Sequence, residues 1–214
     1  MLRDIRDLKI TLIDIDKAMC EEWYKVISEY RYADDDYFPN VEVVNKGCVE
    51  WLKENNNHLL GIVSPANSFG LMDSGFDGAI RQYFMEDYDF DVIPIVQQHL
   101  KEKFWSEQPV GTSTLIKLPV IGSYILHTPT MIRPSTITDP RVVYHCMRSC
   151  ILEAMRTECT HILVPAFGGC CGKVDKKLIA EYMLAAVYTF EYSPEPATWH
   201  ELYPHHILHE LELM

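Results

Sequence analysis

Short apolar runs along the chain alternate with longer stretches in which apolar residues recur every three or four positions, so strands alternate with amphipathic helices. Leu8, Ile10 and Leu12 alternate, with Ile13 on the other face, and predict a strand over 8–14; Asp14 or Asp16 then caps a helix over 17–30. In that helix Met19, Trp23, Val26 and Ile27 share one stripe and read as core. Residues 34–40 read as a polar turn rather than a metal site. A second strand at 41–44 turns through Asn45-Lys-Gly-Cys48 into a short helix over 49–54, and the run Leu59, Leu60, Ile62, Val63 predicts a buried strand. Helices follow over 76–88 and 92–104, the latter with Ile93, Val96, Leu100 and Phe104 along one side. Strands are expected at 112–118 and 124–127. Asp139-Pro140 then supplies a cap and a first-turn proline for a helix reaching about residue 157. A short apolar strand at 161–164 and a closing helix, with Leu178, Ile179, Tyr182, Met183, Ala186, Val187 and Phe190 at three and four spacing, complete the pattern.

This order predicts the α/β class, a three-layer α/β/α sandwich around a mixed, mostly parallel sheet, with right-handed crossovers. In such folds ligands bind at the carboxyl ends of the strands. Two glycine-rich loops follow predicted strands. The first, from Ser64-Pro65 to Gly78, runs into a helix. Its amides at Gly75, Phe76 and Gly78 lie at the positive end of the helix dipole and suit a phosphate or diphosphate. Asn67 and Asp77 are its side chains able to reach a neighbouring sugar. The plain alternative is an ordinary strand-to-helix connection, with Asp77 merely covering amides of the first turn. The second loop is Pro165-Ala-Phe-Gly-Gly-Cys-Cys-Gly172. No GxGxxG motif and no internal repeat is present.

Val63-Ser-Pro-Ala-Asn67-Ser68 followed by Gly75-Phe-Asp77-Gly78-Ala79-Ile80 resembles the macro domain signature, an NAAN-type turn leading to a glycine-rich loop that ends in VDGAI. Pro165–Gly172 is similar to that family's second loop, and His127-Thr128 fits the end of one of its strands. The resemblance spans residues 41–190. It implies binding of ADP-ribose, or of ADP-ribosylated protein, by Ala66, Asn67, Ser68, Gly75, Phe76, Asp77 and Gly78 from the first loop. Phe167, Gly168, Gly169, Cys170, Cys171 and Gly172 serve from the second. It implies catalysis by Asp77, which activates or orients a water, with Asn67 positioning the substrate, in hydrolysis at the distal ribose of modified protein or of ADP-ribose 1''-phosphate. A reader that binds without turnover is the alternative. The chain departs from the family at one turn. Macro domains carry Gly-Asp there, the Asp reading the adenine amino group, whereas this chain has Lys46-Gly47-Cys48, with Glu42 or Glu50 as the first substitutes.

Composition narrows the picture. A chain of 214 residues, 48% hydrophobic, supports one core, expected over 1–190 with a tail over 191–214. A formal charge of −12 disfavours general nucleic-acid binding and anionic membranes, so an anionic ligand must be gripped by local amides. Seven cysteines with no CxxC pair argue for reduced thiols rather than a disulfide framework or zinc finger. Cys146 and Cys150 fall on a core stripe. The adjacent Cys170 and Cys171 also admit a redox pair, against which stands the strain of a disulfide between neighbours. His127 reads as a buried or rim histidine before a catalytic one. His205 and His209, at i and i+4 in the tail, lack the surroundings of a zinc motif, so no metal and no cofactor are expected. The first residues have no apolar signal region and no run nears the length of a membrane span, which predicts a soluble, cytoplasmic protein, with a nuclear location left open and the tail's partner unnamed.

Overall fold

The computed structural model describes residues 4–30, 38, 40–55, 60–120 and 123–191. The expected polar turn at 34–36, Pro39 and the tail beyond 191, with His205 and His209, lie outside them. A 3-10 turn at Ile5–Asp7 leads into β1 (Lys9–Asp14), α1 (Lys17–Tyr30), β2 (Val41–Asn45), α2 (Cys48–Glu54), β3 (Leu60–Ser64), α3 (Gly75–Tyr88) and α4 (Ile93–Phe104). Then come β4 (Thr114–Lys117), β5 (Tyr124–His127), α5 (Val142–Met155), β6 (His161–Pro165) and α6 (Lys176–Glu191).

The six strands form one sheet in the order β2-β1-β6-β3-β5-β4. The first five are mutually parallel and β4 runs antiparallel to β5, so the sheet is mixed and mostly parallel, as the strand-helix alternation predicts. Two cores sandwich it. Ile10, Leu12, Val63, Leu126, Ile162 and Val164 face α1, α5 and α6, while Ile13, Leu60, Ile62, Ile125 and Leu163 face α2, α3 and α4. Both faces of the central strands are therefore covered. That is why β1 has four consecutive buried residues where alternation alone predicts one buried face. The polar exception is Thr11, whose hydroxyl lies 2.7 Å from both Glu42 Oε1 and His161 Nε2 under the edge of Trp51.

The expected elements match with small shifts at their ends. The largest is at α5. Asp139 accepts from the Arg141 amide at 3.0 Å and pairs with its guanidinium, closing a separate turn in which Val143 N–H donates to the Pro140 carbonyl. The helix itself begins at Val142, so Pro140 precedes it rather than opening it. Among the described residues, no helix is long and apolar enough to cross a membrane.

Candidate functional site

Parallel pairing places the ends of β1, β6 and β3 side by side: Ile13 is opposite Pro165, and Gly61 is opposite Ile162 in the next strand. The chain leaves β3 for α3 on one face of the sheet and leaves β6 for α6 on the other. Loops from adjacent strands that part to opposite faces open a crevice between them, the switch point at which open α/β sheets hold ligands. Both glycine loops border it.

The first loop is held from behind by buried polar groups. Ser68 N–H donates to the carbonyls of Met131 and Ile132, and the Ser68 carbonyl accepts from the Gln108 amide. Gln108 Nε2 donates to the carbonyls of Thr112 and His127, which fixes Oε1 toward His127 Nδ1 at 2.7 Å. That nitrogen must carry the proton. His127 Nε2 makes no hydrogen bond and lies near Gly70, where an added Cβ would meet it at 3.5 Å. Burial, then His99, lowers the His127 pKa to about 4 against the backbone of Asn67, which favours the charged ring. His127 is thus a neutral, fully buried support for the loop.

Several expected contact residues point elsewhere. Ser68 is completely buried with both backbone groups engaged, so it anchors the loop instead of facing the crevice. Phe167 is likewise buried in the core on the α6 side, which leaves only its backbone near the second loop. Ala66 is buried, and its carbonyl accepts from Thr130 N–H. Asn67 is 9% exposed; its Oδ1 accepts from Phe69 N–H at 3.0 Å in a local turn, which leaves the two Nδ2 protons for a ligand.

Ser74 begins α3 without a side-chain capping bond, so the amides of the first turn lack that cover. Gly75, at φ +60°, has nothing within 4 Å of where a Cβ would stand, and its backbone faces open space. Phe76 and Gly78 follow, half-buried. Asp77, by contrast, turns inward. Ser64 Oγ, at the end of β3, donates to its Oδ1 at 2.7 Å. Burial raises the Asp77 pKa to about 7; the Ser64 bond opposes this and Asp73 adds to it.

Cys48, the first residue of α2, is buried close enough to feel the charge of Asp77. Its thiol is pushed up to about 12 by burial and then by the charge of Asp77. Sequence reasoning misses both Ser64 and Cys48 as site residues. The only sequence sign of Ser64 is its place at the end of an apolar run, and of Cys48 its place where the family carries Asp.

The second loop closes on itself. A Cβ at Gly172 would stand 2.5 Å from the Gly168 carbonyl, and the Val174 amide donates to that same oxygen. Gly168, at φ +77°, is packed against Ile137 and Val174. Only Gly169, Cys170 and Cys171 project from this neck into solvent. Ile137 N–H donates to the Gly172 carbonyl, tying segment 131–139 to the loop. Between that segment and Phe69 lies a cavity of about 710 Å³ lined by Thr130, Met131, Arg133 and Ser135.

The adenine substitutes fare worse. Glu42 accepts from Thr11 and pairs with Lys9 near the start of the edge strand β2, because register places it opposite Thr11 rather than at the carboxyl ends of the strands. Glu50 is exposed and lies 3.6 Å from Lys46. Near Gly47 stands Ile15 instead, 78% exposed just beyond β1. Among the described residues there is no cluster of three or more His, Cys, Asp or Glu placed to hold a metal.

Comparison with known proteins agrees with this fold. A sequence model of the family described as Macro domain matches residues 63–183, which include both loops. An uncharacterised protein of Aquifex aeolicus (strain VF5) is 31% identical over 134 residues, covering 61% of this chain and 73% of that protein. Among solved structures, a point mutant of the Oceanobacillus iheyensis macrodomain aligns over 100% of this chain and 98% of its own, at 13% identity and a TM-score of 0.54. The same organism's macrodomain with MES bound aligns over 72% and 86%, at 16% identity and a TM-score of 0.51. With its signature loops at the switch point of a matching sheet, the chain belongs to the macro domain family, known to bind ADP-ribose.

Proposed function

We propose that the protein binds ADP-ribose across the crevice and hydrolyses a bond at the distal ribose, releasing ADP-ribose from modified protein or removing the phosphate of ADP-ribose 1''-phosphate. The first-turn amides of α3 and the tip of the second loop hold the diphosphate, and Asn67 Nδ2 donates to ribose hydroxyls. Asp77 orients or activates the attacking water as positive charge builds on the sugar, a general-base contribution of about 10²–10⁴-fold.

The observation that carries this reading is the state of Asp77. It is 9% exposed, held by Ser64, and has a pKa raised to about 7, where a carboxyl can take and return a proton near neutral pH. A pure helix-terminal carboxylate gains most when it is ionised, and burial opposes that. A binding-only module is the second reading, and the same burial speaks for it, since a hidden carboxyl reaches a water only through the crevice. Purified protein is incubated separately with ADP-ribosylated protein and with ADP-ribose 1''-phosphate, and free ADP-ribose is measured. Release that disappears in Asp77→Asn supports the enzyme; no release from either substrate, in protein that binds ADP-ribose, leaves the reader.

A further inference from the structure

Five of the seven cysteines are buried, and two, Cys170 and Cys171, are exposed side by side at the tip of the second glycine loop. Burial raises the thiols of Cys48, Cys146 and Cys150 and so removes them from redox chemistry. The exposed pair differs in kind. Cys170, through its charge first and a hydrogen bond second, pushes the Cys171 thiol up, and the two side chains stand exposed together on one loop tip. Lys173 follows at φ +54°, its amide donating to the Cys170 carbonyl at 3.3 Å. Below the pair, the Gly168–Gly172 neck and its bond to Ile137 hold the base of the loop in place.

We propose that Cys170 and Cys171 are a modification site for hydroperoxides, a nucleophile and a resolving thiol whose oxidation to a disulfide closes the loop against an anionic ligand. The thiolate of one cysteine of the pair attacks the terminal oxygen of the hydroperoxide, the O–O bond breaks, and the alcohol (water, for hydrogen peroxide) leaves with a proton. The neighbouring thiol then attacks the resulting sulfenic sulfur, the S–O bond breaks, and the hydroxyl departs as water with that thiol's proton. Two thiols lose two electrons and two protons, and the peroxide is reduced to alcohol and water.

Adjacent Cα atoms are about 3.8 Å apart, shorter than most disulfides span, so the peptide between the two residues must rotate. The fixed neck keeps neighbouring residues from sharing that rotation, and the amide of Cys171 turns with it. A strained disulfide is readily reduced again, so the change is reversible. The effect on ADP-ribose rests on the function proposed above. Given that function, oxidation and ligand exclude one another, and the exclusion is reciprocal.

The test treats the reduced full chain with hydrogen peroxide under native conditions and reads intact mass, a peptide map and ADP-ribose affinity by calorimetry. Expected are a loss of two hydrogens mapped to the peptide bearing Cys170 and Cys171, reversal by dithiothreitol, slower loss in saturating ADP-ribose, and affinity lower by about tenfold or more. Cys170→Ser and Cys171→Ser should each abolish the hydrogen loss. Stable gain of oxygen at either sulfur in place of hydrogen loss would overturn the proposal, as would a disulfide that leaves affinity unchanged or hydrogen loss that persists in both variants. Should the reduced protein bind no ADP-ribose at all, the proposed function fails, while the mass and mapping data still decide the dithiol chemistry.

Discussion

Replacing Asp77 by Asn should make the protein more stable and less active at once, and the gain should grow with pH. Asn keeps an oxygen to accept from Ser64 Oγ and has nearly the same shape, so the change isolates the charge. The folded carboxyl titrates at about 7 against 3.8 for an exposed Asp. Below 3.8 both states of the protein hold the proton and the charge costs nothing. As pH rises from 3.8 to about 7, the unfolded chain releases its proton while the folded chain retains it. Wild-type stability therefore falls by about 1.4 kcal/mol for each pH unit over that window and levels off above it.

The plateau amounts to about 4 kcal/mol, an upper figure because relaxation around a buried charge lowers it. For a domain of this size that is a melting difference of about 10 °C at pH 8, shrinking to about 3 °C near pH 4.5. His127 and His161, each held to about 4 by burial first, impose the opposite dependence: the unfolded chain binds their protons first, so stability is lost as pH falls below about 6.5. Because they act equally on both proteins, the readout is the difference between variant and wild type, by calorimetric melting from about pH 4.5 to 8. Any pH-independent cost of placing the Asn amide drops out of the slope. Hydrolysis by the variant should fall about 10²–10⁴-fold while ADP-ribose affinity holds. A difference in melting temperature that stays flat with pH would refute the reasoning, for it would mean that the folded carboxyl is already ionised at low pH.

Gly169→Glu should abolish ADP-ribose binding in calorimetry without loss of stability, because a Cβ there meets only Ile179 at 3.4 Å and Ala166 at 3.8 Å, and the added charge faces the diphosphate. With Cys48 buried at the turn where an adenine-reading acid would stand, ADP-ribose and its inosine analogue should differ in affinity by less than the 1–2 kcal/mol, roughly, that one hydrogen bond confers; a stronger preference for adenine would reveal another reader. ADP-ribose affinity should stay level or rise between low and physiological salt, because screening relieves repulsion from a chain of formal charge −12; a steep fall would point to long-range attraction instead of local amides.

The sequence shows what is local. Apolar spacing places β1, α1, α3, α4 and α6 within a residue or two, and the two glycine loops are readable because each sits between a recognisable strand and helix. What escapes it depends on partners far apart in the chain. Ser64 and Asp77 are thirteen residues apart and meet because the first loop folds back on the end of β3. Gln108 lies nineteen residues before His127 and is connected to Ser68, with no periodic signal to mark any of the three. Ser68 and Phe167 lie in motifs that suggest ligand contact, yet tertiary packing turns their side chains inward and leaves their backbones to shape the loops. Glu42 is a plausible acid by position in sequence, and only strand register shows that it lies near the start of β2, away from the carboxyl ends of the strands.

The charge of the chain and the chemistry of the crevice then form one argument. Two acids at and just beyond the end of β1 are paired or capped locally: Asp16 meets Lys176 at 2.6 Å, and Asp14 accepts from the Asp16 amide. Asp73 stays exposed in the first loop, whereas Asp77 is buried at its base, and burial keeps it partly protonated near neutral pH. A carboxylate ionised there would repel a diphosphate held a few residues away on the first turn of α3, whereas a protonated carboxyl does not. On the proposed function, the same burial that costs stability would let an acid and an anionic ligand share one loop, and would hold the proton at a pKa suited to a water to be deprotonated and a leaving group to be protonated. Ser64 sets the balance. Its hydrogen bond lowers the Asp77 pKa toward neutrality, against a desolvation that alone would hold the carboxyl protonated well above it.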